Sequence, residues 1–287
     1  MKENLFTLED CDIETKLKYL NSELDISTLS KKNSNGDSLA NLILMDSNDA
    51  VKLEMLKIFK DQPDLLLEQD KNGNSIASLV CKCSDNLKLR ILDMYNVNPQ
   101  LLFSKNTNND MSIADFILKG SNDDIKLKIL EICASNLSFL DIKDESGFSI
   151  AHKIIANSSV VVILKLLDLA KNHLEILSNR SKCTEPLLIS ILACSVGEKF
   201  QRRVLTFVKQ TPAFFYLKDT NGISVAHFLA ISPHEIIHKE MLEFFVDNRE
   251  HRGILYLETN NKEIVINMIN TNPSTFNFQD KIKALCE

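Results

Sequence analysis

The sequence of 287 residues has little of what tight turns require, with only 7 glycines and 6 prolines, and it has no tryptophan. Sandwiches, barrels and propellers need many glycine-rich turns, so this scarcity argues against an all-β fold. Long apolar runs are also missing: the stretch from Val160 to Leu164 ends at Lys165, so no membrane insertion is expected. With 44% hydrophobic and 25% charged residues the chain is typical of an ordinary folded protein, and helix is the favoured structure.

An excess of positive charge is absent as well. Lysine and arginine number 33 against 39 aspartates and glutamates, which gives a net charge of -6. Nucleic-acid-binding proteins usually carry a basic excess or a basic stripe, and anionic membranes attract polybasic segments. Because neither pattern is visible in the sequence, we expect no nucleic-acid partner.

The cysteines indicate a reducing environment, because their number is odd and most of them lie in apolar stretches. The first residues, MKENLFTLEDCD, contain no apolar segment of the kind found in secretory signals, so a cytoplasmic location is expected. Cys81 and Cys83 could form one arm of a metal site, but no second arm follows, and we expect core packing and no cofactor. The seven cysteines are Cys11, Cys81, Cys83, Cys133, Cys183, Cys194 and Cys286.

A short phrase recurs at almost constant spacing. Its first copy reads Asn35-Gly36-Asp37-Ser38-Leu39-Ala40, and its last reads Asn221-Gly222-Ile223-Ser224-Val225-Ala226. The serine position of the phrase falls at 38, 75, 112, 149, 186 and 224, with Pro186 in place of serine in the fifth copy. The differences are 37, 37, 37, 37 and 38 residues, which chance does not produce. The chain is therefore predicted to be built from repeats.

A second phrase lies between the copies of the first and indicates a second helix in each unit. The serine before the first helix suits an N-cap, and the glycine or asparagine before it suits a tight turn. Proline after the second helix, as at Pro63, Pro99 and Pro212, predicts an extended return. Neighbouring helix pairs then bury each other's apolar faces. The clearest copies of the second phrase are Lys52-Leu53-Glu54-Met55-Leu56, Lys88-Leu89-Arg90-Ile91-Leu92 and Lys126-Leu127-Lys128-Ile129-Leu130.

This pattern resembles the ankyrin repeat. The segment Asp219-Thr220-Asn221-Gly222-Ile223-Ser224 matches the turn of that family, and Leu166-Leu167 matches the end of its second helix. His152 and His227 fall at the family's histidine, which the resemblance implies hydrogen-bonds the turn of a neighbouring unit. The period of 37 exceeds the family's usual ~33 residues. We predict an all-α solenoid of stacked helix-turn-helix ankyrin-like repeats, with a HEAT-like solenoid of ~40–47-residue period as the alternative.

The ends of the chain depart from the repeat, as the ends of solenoids do. Residues 1–34 are predicted to form an N-terminal capping helix, with the helix itself around Asp12–Asn21. Residues 35–250 are predicted to hold six ankyrin-like repeats. Residues 251–287 are predicted to be a truncated C-terminal repeat or cap.

The resemblance implies a non-catalytic protein–protein interaction module with another protein as its partner. One form of this hypothesis is a bacterial effector that enters a host cell without a classical signal peptide and binds a host protein. The alternative is an inhibitor or immunity protein that masks one enzyme. Because a fold alone does not fix a function, this implication rests on analogy.

Two rows of residues are candidate partner contacts. Met111, Phe148 and Ile223 directly precede the repeat serine, and they are apolar where a turn exposed to solvent would favour polar side chains. A second row follows the repeat alanine and would face the concave side on the ankyrin analogy. Its candidate members are Asp115, His152 and His227.

One short motif suggests catalysis. The segment His234-Glu235-Ile236-Ile237-His238 fits H-E-x-x-H, in which two histidines bind zinc and the glutamate activates water. Alignment of Leu242 with Leu56 places both histidines at polar positions in the opening turn of a second helix. Its spacing alone makes Glu258 a candidate for the third ligand. We therefore expect no metal and no enzymatic activity, and a zinc-dependent hydrolase is the least favoured alternative.

Overall fold

The structure is a computed structural model that describes residues 11–22, 25–45, 47–60, 62, 65–66, 75–105, 111–171, 173–178, 186–194 and 197–286. Within these ranges every regular element is a helix, and β pairing is limited to single bridges, such as the one between Lys218 and Ser224. The predicted all-α class is confirmed. No helix in the described ranges combines the length and apolarity that a bilayer crossing requires.

The chain divides into two compact units, Met1–Glu145 and Ser146–Glu287. The first unit contains nine α-helices and one 3-10 helix among its described residues. They are α1 (Ile13–Ser22), α2 (Ile26–Leu29), α3 (Leu39–Leu44), α4 (Asp49–Phe59), α5 (Ile76–Val80), α6 (Asp85–Tyr95), α7 (Pro99–Phe103), α8 (Ile113–Leu118), α9 (Asp123–Cys133) and the 3-10 helix Leu137–Asp141.

The second unit also holds nine α-helices among its described residues, with three 3-10 helices between them. They are α10 (Ile150–Ile155), α11 (Val160–Ala170), α12 (Leu174–Ser178), α13 (Leu187–Cys194), α14 (Glu198–Gln210), the 3-10 helix Pro212–Tyr216, α15 (Val225–Ala230), α16 (Glu235–Asp247), the 3-10 helix Arg249–Tyr256, α17 (Val265–Thr271), the 3-10 helix Pro273–Phe278 and α18 (Gln279–Cys286).

A repeat has three helices: a short first helix, a long second helix and a short third helix. The sequence analysis missed the third one and predicted an extended segment after the proline. That expectation is wrong, because Pro99 begins α7 and Pro212 begins a 3-10 helix. Proline fits the first position of a helix, where its missing N–H has no partner to lose. Pro63 lies outside the described residues.

Every repeat that has a serine at the cap position shows the predicted N-cap. The hydroxyl of each cap serine accepts the N–H of the residue three positions later, and the backbone of the serine is extended. Pro186 takes this place before α13. The copies of the turn phrase at residues 72–74, 109–110 and 184–185 lie outside the described residues. The capping serines are Ser38, Ser75, Ser112, Ser149 and Ser224.

The apolar faces predicted from helical spacing form the core. Ile125, Ile129, Ile132 and Cys133 on α9 are each at most 2% exposed. The third helices add aromatic contacts between successive repeats: the rings of Phe103 and Phe139 stack with centroids 4.6 Å apart. Because each repeat buries its apolar face largely against its neighbours, stability within a unit depends on stacking.

The boundaries predicted at residues 34/35 and 250/251 stay predictions. The structure places α1 against α4 within the first unit. Near the C-terminus, α17 follows a single bridge between Glu258 and Ile264, as first helices elsewhere follow a bridge to their cap serine. A 3-10 helix and α18 come after it.

The turn before α15 is hydrogen-bonded to the next turn by the backbone and the side chain of Asn260. Asn260 donates from its backbone N to Asn221 O over 2.9 Å, and from its side chain to Thr220 O over 3.0 Å. Gly222 has a φ of +78°, and a Cβ at this position would lie 2.6 Å from Asn260 Oδ1 and 2.9 Å from its backbone N. Glycine is required here for its conformation and for its lack of a side chain.

We expect Gly222→Ala to destabilise the protein more than Gly36→Ala. Gly36 occupies the same turn position with a φ of +85°, but nothing lies within 4 Å of a Cβ built on it. The Gly36 variant should therefore lose only about 1 kcal/mol through backbone strain, and the Gly222 variant should lose clearly more through the added clash. Urea unfolding of both variants measures the difference, and equal losses would contradict the turn-to-turn contact.

Candidate functional site

The second helices other than α11, which has Ile163 here, carry a buried polar side chain at one shared position, which we call the bridging position. Lys52 Nζ donates to Lys82 O, and Lys88 Nζ donates to Lys119 O over 3.4 Å, so each contacts the end of the next first helix. The sequence analysis treated this position as an ordinary polar position and did not predict its burial. The lysine that recurs in the second phrase was the feature from which it could have been predicted. Its members are Lys52, Lys88, Lys126, Gln201 and His238, all at most 8% exposed.

Beside the bridging residue Lys88 a cavity of about 390 Å³ opens between two successive repeats of the first unit. Lys82 and Lys119 are exposed at its rim, and the ring of Phe116 on α8 is half-buried in it. Lys88 Nζ also lies 3.5 Å from Asp85 Oδ1. This cavity, which we call the lysine groove, is lined by Ser78, Cys81, Lys82, Cys83, Lys88, Phe116 and Lys119.

The two thiols of the lysine groove have raised pKa values, which favours the protonated form at neutral pH. Burial raises the pKa of the Cys83 thiol to about 11, and burial raises the pKa of Cys81 further. A thiol is a good nucleophile or metal ligand only as the thiolate. The groove is therefore suited to holding a ligand by charge and stacking. Cys81 is buried as expected, whereas Cys83 is half-buried.

A second cavity, of about 170 Å³, lies at the same repeat position in the second unit. Phe228 follows its cap Ser224 by four residues, as Phe116 follows Ser112, and Gln201 occupies the bridging position. The lining carries no lysine. This cavity, which we call the apolar groove, is lined by Leu192, Ala193, Gln201, Phe228, Ile231, Ser232 and Pro233.

A third depression, of about 280 Å³, lies along α14 and contains cationic side chains. Its two arginines are paired with carboxylates of neighbouring second helices. Arg202 Nη2 is 2.8 Å from Glu240 Oε1, and Arg203 Nη2 is 2.5 Å from Asp168 Oδ1. These pairs join repeats within the second unit and leave little net positive charge for a ligand.

The predicted turn row is only partly exposed. Phe148 is 38% exposed, and its ring meets the edge of His152 with centroids 6.4 Å apart. Met111 and Ile223 are half-buried. Met111 belongs to the first unit and the other two to the second. Their role as partner contacts stays a prediction.

The predicted helix row is buried and takes part in helix capping. Asp115 Oδ2 accepts the backbone N–H of Ser112 over 2.7 Å, which completes a capping box. His152 and His227 each place Nδ1 2.7 Å from the hydroxyl of their cap serine. All three side chains are at most 6% exposed. The structure therefore gives them a local structural role, and contact with a partner remains a prediction.

The hydrogen bonds of His227 define its tautomer. Nδ1 accepts the backbone N–H of Ser224 over 3.1 Å, so the proton is on Nε2, which donates to Glu263 O over 3.3 Å. Glu263 lies in the turn of the following repeat, so His227 makes the contact with a neighbouring turn that the ankyrin resemblance implied. Burial lowers the pKa of His227, and burial also lowers the pKa of His238.

The two histidines of the candidate zinc motif are placed differently. His234 is the N-cap residue of α16, whereas His238 is fully buried and donates from Nε2 to Ala230 O over 2.9 Å. That nitrogen is therefore occupied. Within the described ranges no group of three or more histidine, cysteine, aspartate or glutamate side chains is arranged to hold a metal ion.

Comparison with known proteins connects this arrangement to a fold. No family model and no curated protein matches the sequence. Among solved structures, the chain is similar to the Puf4 RNA-binding domain bound to the HO endonuclease RNA 3′ UTR recognition sequence. The TM-score is 0.50 at 11% identity, over 94% of this chain and 81% of that one. For a Puf4 double mutant bound to the Cox17 RNA 3′ UTR recognition sequence, the TM-score is 0.50 at 11% identity. The match covers 99% of this chain and 92% of that one.

The chain has a Puf-like helical-repeat fold. The prediction of a helical solenoid is confirmed at this level, and the ankyrin type is not. The predicted protein–protein interaction module, including its effector and inhibitor forms, is corrected, because both solved neighbours are RNA-binding domains with RNA bound.

The exclusion of a nucleic-acid partner is corrected for the same reason. It relied on the net charge of -6, which is a sum over the whole chain. Binding depends on the local field, and the lysine groove brings the exposed lysines Lys82 and Lys119 to one cavity. In the sequence Lys82 and Lys119 are one full repeat of 37 residues apart, so no basic run indicated them.

We expect stability to fall as the pH drops below about 6.5, where an unfolded histidine gains its proton. Burial lowers the folded-state pKa of His227 and His238, so the unfolded state binds more protons in this range. Full stability is present above the unfolded pKa and is lost below it. A His227→Asn variant, whose amide oxygen can still accept from Ser224, should lose less stability than the wild type between about pH 7.5 and about pH 5.5.

Urea unfolding at the two pH values measures this difference. The control is His173→Asn, which removes a histidine whose side chain is 50% exposed and lies 3.4 Å from Glu175 Oε1. The change in pH dependence should be larger for His227→Asn than for this control. Equal pH dependence in wild type and His227→Asn would show that the histidine is not responsible.

Proposed function

We propose that this protein binds single-stranded RNA without catalysis and that the lysine groove of the first unit is a contact site. The observation that carries the proposal is a half-buried aromatic ring, Phe116, with the exposed lysines Lys82 and Lys119 at the rim of the same cavity. Aromatic side chains stack on unpaired bases, and lysines neutralise phosphates.

The bridging residues hold the two rim lysines in place. Lys82 O accepts from Lys52 Nζ, and Lys119 O accepts from Lys88 Nζ. The backbone of each rim lysine is thereby tied to the preceding repeat, while its ammonium group stays in solvent. Fixed backbone positions one repeat apart suit successive phosphates of an extended strand better than a mobile basic tail would.

Phe116 supplies the base contact. Its ring is half-buried between two repeats and is open to the cavity, with Ser78 and the uncharged thiols of Cys81 and Cys83 around it. A base in a duplex could not reach this ring, because its faces are already stacked on its neighbours. Unpaired bases can be splayed out, which makes single-stranded RNA the ligand that fits.

The fold supports the same ligand class. Helical repeats of the Puf kind read one RNA base per repeat with two or three side chains. The two solved neighbours are described as bound to 3′ UTR recognition sequences, and this information comes from distant relatives at 11% identity. The residues of the lysine groove support RNA binding independently of that likeness.

Three finer expectations belong to this proposal. The ankyrin-like character of the repeat is supported by the capped first helix and the contact from His227 to the next turn. A cytoplasmic location is supported by the free thiols of Cys81, Cys83 and Cys133. The lack of enzymatic activity is supported by the engagement of His238 Nε2 with Ala230 O.

The test is fluorescence anisotropy with a labelled random single-stranded RNA of about 12 nucleotides, titrated over a range of salt concentrations. Wild type should bind with a salt-dependent affinity. Lys82→Gln/Lys119→Gln should bind more weakly, and its slope of log affinity against log salt should be smaller by about 1.4, because single strands contribute about 0.7 per phosphate contact.

The control variant is Lys60→Gln/Lys165→Gln, which removes the same charge from two exposed lysines outside the groove. It should keep the wild-type slope. Loss of affinity to the same extent in both variants would indicate a diffuse charge effect and reject the groove as the site. Absence of RNA binding by the wild type would reject the function.

A further inference from the structure

We propose that the apolar groove of the second unit is a base-binding site, which takes one unpaired base of the bound RNA and contacts no phosphate. The inference rests on the proposed function and deepens it, because it names the part of an RNA that the second unit binds. It is supported by the position of the groove in the repeat, its lining and one buried amide.

The position of the apolar groove is that of the lysine groove. In both grooves the fourth residue after the cap serine supplies a half-buried phenylalanine, Phe116 or Phe228, and the bridging position supplies the floor, Lys88 or Gln201. What differs is charge. At the position of Lys119 stands Ile231, so the apolar groove keeps the aromatic ring and lacks the cations.

The rim of the apolar groove is more exposed than ordinary core residues. Ile231 is 54% exposed, and Ala193 and Pro233 are exposed too, whereas Leu192 below them is 3% exposed. Apolar rim side chains around an aromatic ring are the surroundings that a flat, uncharged ligand covers favourably. A nucleobase is such a ligand, and its phosphate would remain in solvent.

Gln201 adds a directed polar group at the floor. It is 5% exposed, and Ser232 Oγ donates to its Oε1 over 2.5 Å. Ser232 Oγ in turn accepts the backbone N–H of His234 over 3.2 Å, so its own proton is directed to the glutamine. This arrangement orients the amide, and Gln201 Nε2 makes no hydrogen bond to the part of the chain that the structure describes.

An amide nitrogen at the floor of a small cavity donates to a carbonyl oxygen. Uracil and cytosine carry such an oxygen on the ring edge, and their single ring suits a cavity less than half the volume of the lysine groove. The ligand assigned to the apolar groove is therefore a pyrimidine base, stacked on Phe228 with a carbonyl oxygen directed to Gln201.

The decisive variant is Phe228→Leu, which keeps an apolar side chain and removes the aromatic ring. Binding of oligouridine of about 12 nucleotides should weaken about ten-fold at every salt concentration, with an unchanged salt slope, because stacking does not release counterions. The matched control is Phe207→Leu. Phe207 is also half-buried in the second unit but stacks on Phe214, with centroids 5.7 Å apart, outside the groove.

An abasic oligomer of the same length separates base stacking from a general loss of structure. Its affinity should be the same for wild type and Phe228→Leu, while Lys82→Gln/Lys119→Gln should still weaken it. Gln201→Met, which removes the amide and keeps the length of the side chain, should likewise weaken oligouridine and leave the abasic oligomer unaffected. Thermal unfolding confirms that each variant is folded.

Two results would overturn the inference. If Phe228→Leu and Phe207→Leu both bind oligouridine as tightly as the wild type while the lysine variant is weakened, the proposed function stands and the apolar groove is not a base site. If Phe228→Leu weakens the abasic oligomer as much as oligouridine, the phenylalanine acts on the structure rather than on a base.

Discussion

The contact on which the other features depend is the buried hydrogen bond from a second helix to the next repeat. A charged ammonium such as that of Lys52 or Lys88 is expensive to bury, and the carbonyl at the end of the following first helix offsets part of that cost. A helix end has unpaired carbonyls and a partial negative charge, so it is a suitable partner for a cation. The bond thus satisfies two groups that neither repeat could satisfy alone.

A groove lies beside the bridging position in each unit. In both, the bridging side chain and the residue four places after the next cap serine line the same cavity. In the first unit the cavity is lined by lysines, and in the second by apolar residues with Gln201 and Ser232. The geometry is common to both, whereas the chemistry is set by a few substitutions.

Much of the fold could be predicted from the sequence, because local signals determine it. The spaced serines predicted the N-caps, and the spacing of residues such as Ile125 and Ile129 predicted the buried face of α9. The third helix was missed because it is one or two turns long and begins at a proline that also fits an extended segment. Short helices carry too few residues to show a period.

The grooves were harder to predict, because each combines residues from two repeats. Phe116 alone is an ordinary residue on a helix, and Lys82 alone is an ordinary surface lysine. Only their positions relative to the bridging residue bring them to one cavity. The histidines at repeat positions attracted attention in the sequence, but His152 and His227 are used for helix capping. Histidine is a residue type that suggested a binding role, but the burial of these two side chains gives them a structural role.

The bridging position has a consequence for how such a protein can change. It holds lysine in the first unit and Ile163, Gln201 or His238 in the second. Lys52 and His238 contact a backbone carbonyl, whereas Gln201 contacts the hydroxyl of Ser232. A backbone carbonyl is present whatever the sequence, so a bridging lysine makes no demand on the side chains of the next repeat. Gln201 does, because it contacts the hydroxyl of Ser232, so these two residues can change only together.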